Sequence, residues 1–231
     1  MTTKAEGVRA QARTRMRGVI LDTARAHLAE HGAGGLSLRA VARDVGMVSS
    51  ALYRYFDSRD ALLTALIIDA YDGLGDAVEA AEGTVTREDL TGRWAAICRT
   101  TRDWALADPQ QYALVYGSPV PGYAAPQDTV GPATRVTRLL ADLLGDVAAA
   151  GRDDGVEVTP AVAAAVAPAR AFAGDRVSAD LMVRGLMAWT YLFGAVSFEL
   201  FGQRHRAVAD DGLDVFFAEE TARIGRLIGL S

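Results

Sequence analysis

Tyr53 and Tyr55 stand two residues apart in a run that also holds Ser49, Ser50, Arg54 and Arg59. These are hydroxyl and guanidinium donors, with no His or Cys between positions 49 and 59. Such groups hydrogen-bond phosphate oxygens and base edges, and they lack a neighbouring base to activate a nucleophile. Other residues with chemical potential are few. His27 and His31 have the i, i+4 spacing of two metal ligands, yet no third ligand type lies nearby, so a surface or core placement is expected. Cys98 is the sole cysteine, which excludes a disulfide framework and a multi-thiolate zinc site, and it reads as a small buried hydrophobe. Gly32, Gly34 and Gly35 are not followed by the Lys-Ser/Thr pair of a phosphate-cradling loop. No Ser/His/Asp constellation stands out. The expectation is a protein without catalytic residues, bound metal or cofactor.

The donors need a scaffold, and the hydrophobic pattern supplies one. Half of the 231 residues are hydrophobic, enough for a substantial core. Apolar residues recur at helical spacing and no run has the two-residue period of strands, so an all-α fold is expected. Ile20, Ala24 and Leu28 mark a first helix from about Thr14 to Gly32. Ser37 is placed to cap a short helix carrying Leu38, Val41, Ala42 and Val45, which stops at Gly46. A second short helix is expected from about Ser49 to Phe56, and a longer one from Arg59, with Leu62, Leu63, Leu66, Ile67 and Tyr71 on one face. Further helices are expected at about 88–107, 110–116, 132–150, 160–171, 178–203 and 211–229. Four of seven prolines lie between Pro119 and Pro132, so 117–132 reads as a loop. Residues 1–13, with Lys4, Arg9 and Arg13, show no apolar period and read as a mobile basic arm. The expected division is a three-helix domain at 1–60 and a larger helical domain at 61–231.

Charge follows that division. The net charge is -5, but residues 1–60 carry +4 and residues 61–231 carry -9. A basic end on an acidic body suits a head that binds phosphate. A capped helix, a glycine turn and a second short helix form a helix-turn-helix, whose second helix enters the major groove of DNA. At 100° per residue, Leu52 and Phe56 face Leu38, Val41 and Ile20, while Ser50, Ala51 and Arg54 face outward. Tyr53 and Tyr55 then fall about 80° to either side of the apolar face, within reach of phosphates. The small residues Ser49, Ser50 and Ala51 allow close approach to base edges, and Arg54 can reach a guanine or a phosphate. Arg9, Arg13, Arg15 and Arg17 read either as a solvated basic tail or as a minor-groove arm.

The stretch Gly35-Leu-Ser-Leu-Arg-Ala-Val-Ala-Arg-Asp-Val-Gly46, followed by Ala51-Leu-Tyr-Arg-Tyr-Phe-Asp-Ser-Arg-Asp-Ala-Leu-Leu63, resembles the TetR family of repressors. The resemblance implies phosphate contacts from Tyr53, Tyr55 and Arg59, a backbone contact from the capping Ser37, and base reading by Ser49, Ser50 and Ala51. It further implies a double-stranded, palindromic operator, a homodimer and a small-molecule effector. One departure is Val48, which stands where the family has Ser or Thr, and moves the expected helix cap to Ser49.

The C-terminal part resembles the family more loosely. Ala188-Trp-Thr-Tyr-Leu-Phe-Gly-Ala-Val-Ser-Phe-Glu-Leu-Phe-Gly202 is similar to a subgroup named for a Trp, a His and a Gly, with Phe193 in place of the His. In such proteins the last two long helices, here about 178–203 and 211–229, pair with a second copy as a four-helix bundle. Gly194, Ala195 and Ser197 would permit close approach there. Trp94, Cys98, Trp104, Tyr112, Tyr116, Phe172, Met182, Met187, Trp189 and Phe193 lie on apolar helical faces, and are candidates both for core and for an effector pocket. The longest uncharged stretch, Gly185–Phe198, falls short of the roughly 20 apolar residues of a membrane span, and no signal-peptide core is present, so a cytoplasmic protein is expected. A competing reading is a helical small-molecule binding protein or enzyme without a DNA role. It leaves the basic head and the paired tyrosines unexplained.

Overall fold

The computed structural model describes the backbone of residues 2–230 and the side chains of residues 7–230. The first four helices are α1 (Thr2–His31), α2 (Leu38–Asp44), α3 (Ser49–Leu52) and α4 (Arg59–Glu82). α5 (Leu90–Ala107), α6 (Pro109–Tyr116), α7 (Val130–Ala133) and α8 (Arg135–Ala149) follow. The last are α9 (Pro160–Ala165), α10 (Ala167–Phe172), α11 (Ala179–Leu200) and α12 (Leu213–Leu227), and no strand occurs among the described residues. The chain divides into two compact units: residues through Tyr71 together with Gln110–Val130, and Asp72–Pro109 together with the residues from Gly131 onward.

The first unit closes around one aliphatic and aromatic core. Ile20, Leu38, Val41, Leu52, Phe56, Leu62, Leu63 and Leu66 are buried together. Ser37 caps α2 by accepting from the Ala40 amide at 3.5 Å. Gly46, at φ +75°, ends it: the Met47 amide donates back to the Ala42 carbonyl at 2.8 Å in a Schellman arrangement that needs a left-handed residue. The sequence boundary at residue 60 differs from the packing boundary for a simple reason. The first half of α4 places Leu62, Leu63, Leu66 and Ile67 in the head core. Residues 110–130 join this unit because Leu114, Val115, Val120 and Tyr123 pack on the same core, and Tyr123 shares a hydrogen bond with Thr64 at 2.9 Å.

Three local expectations are corrected. Residues 2–13, within the stretch read as a mobile arm, are part of α1, as their Ala, Arg and Gln content favours a helix; Met1 and the side chain of Lys4 lie outside the described residues. α3 ends at Leu52, and Tyr53–Tyr55 form tightened turns in which the Arg54 and Tyr55 amides donate to Ala51 and Leu52 carbonyls. The cap of α3 is Val48 itself, with no side-chain hydrogen bond, so Ser49 is the first helical residue and not the cap. Beyond these, the Pro/Gly-rich loop ends in a 3-10 turn at Gln127–Thr129 and in α7. The expected helix at 160–171 is broken into α9 and α10 at Val166, just ahead of Pro168.

The second unit packs α5, α8, α11 and α12 against one another. Glycines set two of its close crossings. A Cβ at Gly185 of α11 would stand 2.3 Å from Leu144 of α8, and one at Gly225 of α12 would stand 3.0 Å from Trp94 of α5. Trp94 pins the latter crossing by donating Nε1–H to the Thr221 carbonyl at 2.8 Å. α11 is long and apolar enough to cross a membrane by length and composition. It nevertheless buries Leu181, Met182, Ala188, Leu192, Phe193 and Val196 within this unit, and Glu199 near its end is ion-paired with Arg102.

Candidate nucleic-acid interface

The head core fixes which face of α3 is free. With Leu52 and Phe56 buried, Ser50 and Arg54 are exposed, and Ser49 and Ala51 are half-buried. Tyr53 is 46% exposed, which leaves its ring and hydroxyl on the surface, and Tyr55 is half-buried against the core. The short α3 changes the geometry expected from a regular helical wheel, because Tyr53 and Tyr55 sit in the turn after the helix. The outcome is still a surface of small residues flanked by phenolic and guanidinium donors. Ser37 is half-buried, and its hydroxyl is engaged as the cap of α2.

Arg59 is placed differently from a free phosphate ligand. Its Nη2 donates to the Ala33 carbonyl at 2.7 Å and its Nε to the Leu36 carbonyl at 3.1 Å, so it ties the start of α4 to the turn after α1. Arg13 and Arg17, read from the sequence as part of a basic tail or arm, and His27, read as half of a histidine pair, make contacts in the same region that the sequence did not indicate. Arg13 donates to the Arg54 carbonyl at 3.3 Å, and Arg17 donates to the Tyr55 carbonyl at 3.4 Å while lying 4.3 Å over the Phe56 ring. His27 contacts the Asp44 carboxylate at 2.7 Å, joining α1 to α2. That hydrogen bond, helped by Arg43, holds Asp44 below the usual carboxylate range. The i, i+4 pair His27 and His31 is a ring–ring contact at 5.9 Å, and no cluster of three metal-ligating side chains occurs among the described residues.

The aromatic candidates for an effector site are not gathered around one space. Tyr112 and Tyr116 belong to the first unit, where Tyr116 packs edge-on against Tyr71 and burial pushes its phenol up. In the second unit, Trp94 borders a groove of about 470 Å³ between α5 and α12, with Arg99, Asp103 and Phe217 on its walls. Phe172, Met182 and Trp189 line a separate apolar crevice of about 50 Å³ between α8, α10 and α11. Phe193 contacts Trp189 at 5.8 Å between ring centroids, Trp104 is half-buried, and Met187 is exposed. Cys98 is buried, and desolvation pushes its thiol well above the ordinary value, so it stays protonated. On the outer faces of α11 and α12, Met187, Phe198, Val215 and Phe216 are exposed, as is Phe201 just after α11. A Cβ at Gly194 would meet nothing within 4 Å.

Residues 20–66 match the family described as bacterial regulatory proteins, tetR family, and residues 94–224 match the tetracyclin repressor-like C-terminal domain. An HTH-type transcriptional regulator of Mycobacterium tuberculosis is 40% identical over 222 residues, covering 92% of each chain. The chain belongs to the TetR family of transcriptional regulators. A regulator of the same description from Mycobacterium bovis matches equally well. The solved structure of the protein SCO4313 superposes with a TM-score of 0.74 at 37% identity, covering 93% of this chain and 97% of its own. The fatty acid degradation regulator FadR from Bacillus halodurans, at 15% identity and a TM-score of 0.60, shares the fold. Membership makes this chain a DNA-binding transcriptional regulator with an N-terminal helix-turn-helix.

Proposed function

We propose that this regulator is a repressor that binds a palindromic operator as a homodimer and is released when a small molecule occupies its second unit. The observation that carries the reading is the surface of α3. Ser49, Ser50 and Ala51 offer little bulk between a buried Leu52 and the flanking Tyr53, Arg54 and Tyr55. Small side chains bring the helix close to base edges, while the hydroxyl and guanidinium groups fix its register on phosphates.

A single short helix reads one half-site, so two heads about 34–36 Å apart are needed. The exposed Met187, Phe198, Phe201, Val215 and Phe216 form the surface that would pair two copies, and Gly194 leaves room for close helix approach. The groove between α5 and α12 has the volume of a small-molecule site. A role on DNA implies a cytoplasmic setting.

The test is selection of binding sites from a randomised duplex pool, followed by titration of the selected site. The expected product is an inverted repeat bound by a dimer. Tyr53→Phe with Tyr55→Phe should weaken binding across all sequences, and Ser50→Leu should change the selected sequence. A selection that enriches nothing would overturn the operator reading, and enrichment of a single half-site bound by a monomer would overturn the dimer.

A further inference from the structure

Six of the nine arginines of the head fall into two groups. Arg25, Arg43 and Arg59 are ion-paired with Asp22 and Asp69, with Asp44, and with Asp60. Arg9, Arg13 and Arg54 have no carboxylate partner among the described residues, and they line one cleft of about 440 Å³ between α1 and the turn after α3. Ala12, Met16, Met47, Ala51 and Tyr55 complete it.

Arg9, Arg13 and Arg17 lie at i, i+4 and i+8 on α1, so three like charges share one helical face, a spacing that disfavours the isolated helix. Residues 7–15 are all exposed, and a helix that is polar all round gains no stability from a core. Arg13 and Arg17 turn that face toward α3 by donating to the Arg54 and Tyr55 carbonyls. The cleft is therefore built, positively charged, and continuous with the DNA-reading surface through Ala51, Arg54 and Tyr55.

We infer that the N-terminal turns of α1 are a second grip on DNA, in which Arg9 and Arg13 take backbone phosphates flanking the half-site read by α3. The occupant is duplex backbone, and the contact does not depend on sequence. The body of the helix, about 10–12 Å across with its side chains, is too wide to lie in a minor groove about 6 Å wide, so Arg9 and Arg13 are assigned to the backbone beside it. The inference rests on DNA binding by the head.

The experiment compares the salt dependence of operator binding for the full chain, Arg9→Ala/Arg13→Ala, Arg9→Lys/Arg13→Lys, and Arg15→Ala, which removes a charge that does not line the cleft. Two lost phosphate contacts should flatten the slope of log Kobs against log salt by about 1.8 per bound subunit. Between 50 and 200 mM salt the double alanine variant would then lose about twelvefold less affinity per bound subunit than the parent. The lysine variant should keep the parental slope, and the selected sequence should be unchanged in every variant. Circular dichroism confirms that the variants are folded, because the substituted side chains are exposed. An unchanged slope in the double alanine variant, an equal change in Arg15→Ala, or an altered consensus would each overturn the inference. Failure of the parent to bind selected DNA would instead overturn the reading on which it rests.

Discussion

The two units bury different kinds of side chain. In the head, Ile20, Val41, Leu52, Phe56, Leu62 and Leu63 fill the interior, its arginines are exposed or half-buried, and His27 and Thr129 are its buried polar side chains. In the second unit, ionic groups run through the helix contacts. Arg93, 1% exposed at its side chain, bridges Glu82 and Asp146, so it joins the end of α4 to α5 and α8. Arg102 makes two bonds to Glu199 of α11 and one ion pair to Asp214 of α12, and those carboxylates push its guanidinium further up. Glu220 is buried in α12 and accepts from Tyr191 and Arg204; burial and that carboxylate push the Tyr191 phenol up to about 12. An apolar core tolerates many sequences of similar volume, whereas a buried ion network demands particular partners. The contrast fits a head that must hold one rigid surface and a body whose helices are matched to one another.

The largest test of that contrast is Arg102→Met. It leaves Glu199 buried without its partner and should cost about 3–5 kcal/mol by urea denaturation, much of it recovered by Arg102→Met with Glu199→Leu. A cost below about 1 kcal/mol would show that the network is not holding the helices. In the head, Leu52→Ala removes a fully buried side chain and should cost about 3 kcal/mol, with hydrogen exchange accelerated in residues 16–66 and unchanged in α8 and α11. Equal loosening of both units would remove the distinction between them. Gly185→Ala is smaller, at about 1–3 kcal/mol, because Leu144 must give way before α11 can accept a Cβ. The smallest effect is Asp44→Asn. Asp44 is held below its ordinary range by His27 and Arg43, so its contribution is present at neutral pH and lost as pH falls through the depressed value. The melting-temperature gap between parent and Asp44→Asn should therefore close on acidification, and a gap that widens would contradict the assignment.

Local rules made the head legible in the sequence. A serine cap, a glycine at positive φ and apolar residues at helical spacing each act within a few positions, so α2, the turn at Gly46 and the outward face of α3 followed from them. Longer-range contacts were less legible. Arg59 was expected at phosphate, and its side chain binds the Ala33 and Leu36 carbonyls, which lie 23 and more residues away in sequence. The arm at 1–13 was judged by its missing apolar period, which reports burial and not helicity, so its helical continuation stayed hidden. In the second unit, helical spacing located α8, α11 and α12. It carried no information on which arginine meets which carboxylate, nor on the separation of Trp94 from Phe172 and Trp189 into different hollows.

The most direct test of the account is a fluorescence-anisotropy titration of the full chain against the DNA flanking its own gene and against a scrambled duplex, at two salt concentrations. The account predicts tight binding to the first alone, weakening steeply as salt rises. Equal binding to both duplexes, or none to either, would contradict a head built to read sequence through α3.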